Sequence, residues 1–155
     1  MANNTEWNLR FDEAVDLYHK GVRGNKKAAQ QAYHLFATLA TEKPNHIESL
    51  GYYGSATALL ARDTPIPKDK KKYALEGLRM LDQAVSNEPT NHTIRILRGN
   101  VCARMPESVF HRTSTAIEDF EMLVDAYKND PTVLSENTYQ SILNELEKAK
   151  KKIKY

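Results

Sequence analysis

Three prolines at a near-constant interval limit what this chain can fold into more than any other feature. Pro44, Pro89 and Pro131 stand 45 and 42 residues apart, and each closes a similar phrase: Thr41-Glu42-Lys43, Ser86-Asn87-Glu88 and Lys128-Asn129-Asp130. Proline lacks the N–H a helix needs and its ring meets the preceding turn, so each phrase reads as an exposed helix end. Residues at fixed distances from the prolines fall into columns. Ten after stand Gly54, Gly99 and Ser141, all small; five before stand Leu39, Ala84 and Ala126; eight before stand Phe36, Leu81 and Leu123. Twelve before stand Ala32, Gly77 and Asp119, where the small residue is kept in two of three. A small residue is required where two helices cross closely, and a large apolar one fills the gap between successive hairpins. This is the arithmetic of stacked helix-turn-helix units, each burying its face against the next.

Apolar residues between these markers recur at helical steps, and alternating strand patterns are absent. Ala74, Leu78, Leu81 and Val85 form one stripe, Ala116, Phe120, Leu123 and Tyr127 another, and Tyr139, Ile142, Leu146, Ala149 and Ile153 a third. The spacing predicts seven helices, at about 8–21, 26–42, 46–61, 70–87, 91–105, 112–128 and 132–153.

Composition agrees with one soluble domain over 1–155: the 155 residues are 41% hydrophobic and 27% charged, with a formal net charge of +2. So small a net charge asks for neither a nucleic-acid nor a membrane partner. The start of the chain has no basic region followed by an apolar stretch, and no window approaches a membrane span of about 18 apolar residues. Cys102, the one cysteine, excludes an internal disulfide and a multi-cysteine zinc site. A cytoplasmic protein is expected.

The column pattern resembles the tetratricopeptide repeat (TPR), with a small residue in the first helix, an Ala–aromatic–Ala ladder in the second and a closing proline. Ala32, Phe36 and Pro44 match the ladder, and Gly54 and Gly99 match the first-helix position. Leu81, Ala84 and Pro89, then Leu123, Ala126 and Pro131, carry it onward. The units depart from the family's 34 residues by insertions, at Asp63–Lys72 in the second and from Met105 in the third, and lack the Trp near the start of each first helix. The resemblance implies an all-α fold: a right-handed α-α superhelix of about three helical pairs (8–44, 46–89, 91–131) and a C-terminal capping helix over 132–153. It also implies a concave groove lined by first helices. Glu48, Gly51, Ser55 and Leu59 then face a ligand in the second unit, and Thr93, Ile96, Asn100 and Arg104 in the third. Asn100 stands where peptide-binding members carry an Asn that bonds a ligand's backbone. The Lys and Asn pairs that grip chaperone tails are not matched, since Gly51 and Ser55 occupy those places.

No catalytic constellation emerges. The six glycines form no phosphate loop, and the five histidines are never at the i, i+4 spacing that aims two imidazoles at one metal. Cys102 falls in mid-helix among apolar neighbours and reads as a buried thiol. Glu118, Asp119 and Glu121 read as a solvated acidic face. No enzyme, metal or cofactor is expected.

Local charge is less even than the total. Lys68, Lys70, Lys71 and Lys72 crowd one insertion, and Lys148, Lys150, Lys151, Lys152 and Lys154 crowd the tail, while 116–136 is acidic. Arg95, Arg98 and Arg104 are candidates for a basic groove wall. The function expected is a non-enzymatic module binding a peptide or partner protein in its groove. Alternatives are a homodimer or other homo-oligomeric structural subunit, or a small secretion-type chaperone, joined through Trp7 and Phe11 or through the face of 132–153. A nucleic-acid or phosphate binder using Lys68–Lys72 is the least favoured.

Overall fold

The prolines do what their chemistry requires. In the computed structural model, which describes residues 2–153 and side chains from 5 to 153, Pro44, Pro89 and Pro131 fall directly after the last turns of α2, α4 and α7. Eight helices form: α1 (Ala2–Val22), α2 (Lys26–Glu42), α3 (Ile47–Asp63), α4 (Pro67–Asn87), α5 (His92–Arg104), α6 (Glu107–Phe110), α7 (Thr113–Asn129) and α8 (Glu136–Lys152). The described residues contain no strand, so the fold is all-α.

The residue before each proline leaves the helical region: Lys43, Glu88 and Asp130 have ψ of 80°, 73° and 97°, as the proline ring demands of its predecessor. Their N–H groups still reach back to the carbonyls of Leu39, Ala84 and Ala126. The column five before each proline therefore supplies the acceptor that closes each helix. Starts are fixed by side-chain caps, which satisfy N–H groups that the first turn leaves open. Asn25 accepts from Ala28 N (2.9 Å), Asn91 from Ile94 N (3.1 Å) and Ser135 from Thr138 N (3.1 Å). His46 caps α3 through Nδ1, which lies 3.3 Å from Ser49 N.

Four boundaries differ from the sequence expectation, and the first is that of α1, which starts at Ala2 rather than about 8. Helix α4 starts at Pro67 rather than about 70, because proline suits the first helical position, where its missing N–H costs nothing. The insertion is thereby mostly helix, and only 64–66 link α3 to α4. The stretch after Met105 contains the short α6, which His111 ends in the left-handed region at φ 56°. Helix α8 starts at Glu136 rather than 132, since Asp130 Oδ1 accepts from Thr132 N at 3.0 Å and from Thr132 Oγ1 at 2.6 Å and folds 130–132 into a turn. Lys154, counted in the basic tail, lies outside the described residues.

The helices divide into two units between Glu88 and Pro89. In the first, α1 packs on α2, α2 on α3 and α3 on α4. Phe36, Leu39, Leu81 and Ala84 are fully buried there. Helices α3 and α4 meet backbone to backbone: a Cβ on Gly54 would stand 2.9 Å from Gly77 O, and one on Gly77 only 2.7 Å from Gly54 O. Trp7 is 3% exposed, donates from Nε1 to Leu39 O (3.4 Å), stacks on Phe11 and meets the edge of His46. Phe11 in turn meets Phe36 and Tyr52 edge-on. Trp7, expected at an exposed apolar end, is thus taken up by its own unit's core, while Phe11 beside it is half-buried.

In the second unit α5 packs on α7 and α7 on α8, and α5 also touches α8. Phe120 and Leu123 are fully buried, while Ala126 is half-buried. A Cβ on Gly99 would lie 2.7 Å from the Phe120 ring. Helix α7 has no side-chain cap from Arg112, and Glu107 Oε1 instead accepts from Thr113 N at 3.0 Å.

Candidate binding groove

A groove of about 240 Å³ lies between α5 and α8, lined by Ile96, Asn100, Asn137, Thr138, Ser141 and Ile142. Small side chains at Ser141 and Thr138 leave the space open where α8 passes α5. The lining is two isoleucines and four uncharged hydrogen-bonding side chains, chemistry suited to an amide backbone with apolar side chains. Ile96 and Asn100 are two of the residues that the sequence assigned to a concave groove of first helices, whereas the space found here lies between α5 and α8. Asn137 and Thr138 are not among those residues, and the signal that could have found them is their place in the first turn of α8, where Ser135 caps Thr138 N.

The other expected groove residues go elsewhere. Ser55 is 1% exposed and its hydroxyl lies 2.6 Å from the Tyr18 hydroxyl, so it joins α1 to α3 instead of facing a ligand. Gly51 is buried as well, and Glu48 and Leu59 are half-buried on α3. Thr93 is half-buried in the first turn of α5. Arg104 is exposed, with Nη1 on Asn100 O (3.0 Å) and Nη2 3.6 Å from Glu145 on α8.

Arg95 and Arg98 form no groove wall. Both turn inward to Asp119, which is fully buried: Arg98 donates from Nε (2.8 Å) and Nη2 (2.7 Å), Arg95 from Nη1 (2.8 Å), and Arg95 Nε also reaches Pro89 O (2.8 Å). The expectation that Asp119 is a solvated carboxylate is overturned. A charge so buried persists only when its lone pairs are taken up by donors, and two guanidinium groups supply them. The acidic helix also meets the basic tail within the chain, Lys150 lying 3.5 Å from Glu121.

The lysine clusters hold a device the sequence hides. Lys70 Nζ donates to the carbonyls of Ala61 (3.2 Å) and Arg62 (3.1 Å) at the end of α3, and Lys152 Nζ to Ala103 O (2.7 Å) at the end of α5. Arg62 does the same for α1, reaching Gly21 O (2.8 Å) and Val22 O (3.2 Å) while pairing with Asp63. Cations at these positions satisfy the open carbonyls and face the negative end of the helix dipole. Lys70 therefore leaves the expected basic patch and serves packing; Lys68, Lys71 and Lys72 remain exposed.

For chemistry the described residues offer little. No group of three or more His, Cys, Asp or Glu side chains among them comes close enough to hold a metal ion. Cys102 is fully buried in α5. Burial pushes the Tyr52 phenol up to about 12, helped by the carboxylate of Glu48 and by Tyr18, and desolvation beside Tyr53 does the same for Tyr33. Neither phenol ionises near neutral pH. Among the described residues no helix is long and apolar enough to cross a membrane. No protein-family model matches the sequence, and no curated protein matches it either.

Proposed function

We propose that the chain is a degenerate TPR-like module that binds an extended peptide or partner segment, without catalysis, in the α5–α8 groove. The observation that carries this is the groove's lining: Asn100 and Asn137 offer amide donors and acceptors beside Ile96 and Ile142. That combination pairs with a peptide backbone while two apolar walls take its side chains. The superhelical reading is supported by the proline-closed α2, α4 and α7 and by the glycine crossings on α3 and α5.

The test is a random-peptide display panned on the full chain. Enriched peptides are then measured against wild type, Asn100→Ala and Ile96→Glu. Loss of one or two hydrogen bonds at about 0.5–1.5 kcal/mol each predicts a fall of roughly threefold to a hundredfold for Asn100→Ala, and Ile96→Glu abolishes binding. No enrichment, or equal affinity for all three proteins at unchanged helicity, overturns the proposal.

A further inference from the structure

The two turns at one end of the first unit carry a charge excess that its packing does not use. Arg62 ties them together, since it sits at the end of α3 and grips the last carbonyls of α1. Around the α1–α2 turn stand Lys20, Arg23, Lys26 and Lys27, all exposed. Around the α3–α4 turn stand Lys68, Lys71 and Lys72. Among the described residues none of these seven makes a side-chain hydrogen bond or ion pair, in contrast to Arg62 and Lys70 at the same end. The carboxylates of the two turns are Asp63, already paired with Arg62, and Asp69.

Helix stability gives no reason for this arrangement. Lys26 and Lys27 lie in the first turn of α2, which has no acidic residue, and Lys68 lies in the first turn of α4. Cations there oppose the positive end of the helix dipole. The opposite end of the unit holds Glu6, Glu42, Glu48 and Glu88 against Arg10, which is bonded to Glu42, and Lys43, so the excess of positive charge is confined to one end of the unit.

Each basic turn also presents an aliphatic side chain to solvent. Val22 is 44% exposed at the end of α1, and Ile66 is 52% exposed just before α4. An apolar tip adds nothing against a phosphodiester backbone or a carboxylate surface. Against a bilayer it enters the headgroup boundary while the surrounding cations meet anionic lipids. We propose that this end of the first unit is a peripheral docking surface for an anionic membrane, seated by the seven cations and anchored by Val22 and Ile66. It is independent of the peptide groove, which lies in the second unit.

The experiment is co-sedimentation of the full chain with vesicles of equal parts phosphatidylglycerol and phosphatidylcholine, and with phosphatidylcholine alone. The expected result is binding to the anionic vesicles only, weakened by salt. It falls by about tenfold or more in K68E/K71E/K72E and several-fold in V22S/I66S, which keeps every charge. The fluorescence of buried Trp7 confirms that both variants remain folded. Equal sedimentation with the two vesicle types overturns the proposal. So does V22S/I66S binding as wild type while a short DNA duplex binds as well as the vesicles, which assigns the surface to a soluble polyanion instead.

Discussion

The α3–α4 crossing of the first unit and the α5–α7 crossing of the second stand at the same positions relative to their prolines and use opposite chemistry. In the first, Gly54 and Gly77 remove both side chains and the backbones touch. In the second, Gly99 remains, but the facing helix brings the Phe120 ring against it and Asp119 takes the place of the second glycine. Losing a small residue separates two helices, and the space must be filled. Here a fully buried carboxylate fills it and draws in Arg95 and Arg98 from the opposing helix. The first crossing is held by close contact and tolerates no added atom. The second is held by matched charges and tolerates no missing partner.

The largest effect therefore belongs to the second crossing. Asp119→Ala removes the buried carboxylate that both guanidinium groups share, leaving the exposed Glu118 at 3.7 Å from Arg95 and 4.0 Å from Arg98, and is expected to cost about 3 kcal/mol. Loss of a buried pair is costly even where the pair itself contributes little, so the triple variant Asp119→Leu with Arg95→Met and Arg98→Met should recover most of that stability. The rate at which the buried Cys102 thiol in α5 reacts with a labelling reagent reports opening of this unit. If Asp119→Ala unfolds within about 1 kcal/mol of wild type, the ion network does not hold the helices together.

Next come the glycines. Gly77→Ala places a methyl carbon 2.7 Å from the Gly54 carbonyl oxygen, which the α3 backbone fixes in place. Overpacking of about 1–3 kcal/mol should outweigh the roughly 1 kcal/mol that alanine gains over glycine in a helix. Gly99→Ala meets the edge of an aromatic ring at the same 2.7 Å, and a ring can tilt where a carbonyl cannot. Urea unfolding should thus rank Gly77→Ala as the more damaging. Trp7 fluorescence follows the first unit, where the one tryptophan lies. The reverse ranking would mean that the backbone contact in the first unit is looser than its geometry.

What the sequence revealed follows the range of the forces involved. Proline and cap effects act within about four residues, so the ends of α2, α4 and α7 were readable from Pro44, Pro89 and Pro131. The buried column at Phe36, Leu81 and Leu123 was readable from its repeated place, eight before each proline, on an apolar stripe at helical spacing. Asp119 was not, because its neighbours Glu118 and Glu121 make the local pattern a polar face while its partners lie 21 and 24 residues away. Lys70 and Lys152 were hidden likewise: a lysine reads as surplus charge until a neighbouring helix brings its end beside it. Ser55 was misplaced because α3 buries Ser49, Gly51, Tyr52 and 54–57, nearly its whole circumference. Such a helix has no periodic face to assign. Ile96 and Asn100 could be placed because the moderately buried α5 keeps one side open.

Smaller still are the lysine caps, one per unit. Lys70→Met and Lys152→Met each remove a donor from an exposed helix end and should cost about 0.3–1 kcal/mol. Because Lys70 reaches two carbonyls and Lys152 one, the first unit should lose more, as read by urea midpoints from Trp7 fluorescence and Cys102 labelling. Equal losses would show that the dipole, rather than the individual bonds, sets the effect.

The smallest difference concerns acid. In the first unit the Arg10 guanidinium, bonded to both oxygens of Glu42 at 2.9 and 2.7 Å, holds that carboxyl below its usual range. In the second the Thr132 hydroxyl and N–H hold Asp130 below its own. A carboxylate whose folded pKa is depressed adds stability above its unfolded pKa, near 4. That stability disappears as pH falls through the lower folded value. Both units should therefore weaken as the pH falls below about 5, modestly because both groups are exposed to solvent. Salt separates them: the Arg10–Glu42 attraction is screened, whereas the neutral donors of Thr132 are not. Raising the ionic strength should flatten the acid dependence of the Trp7 signal and leave that of Cys102 labelling unchanged. A common response of both probes would mean that net charge, not these two contacts, governs the acid limb.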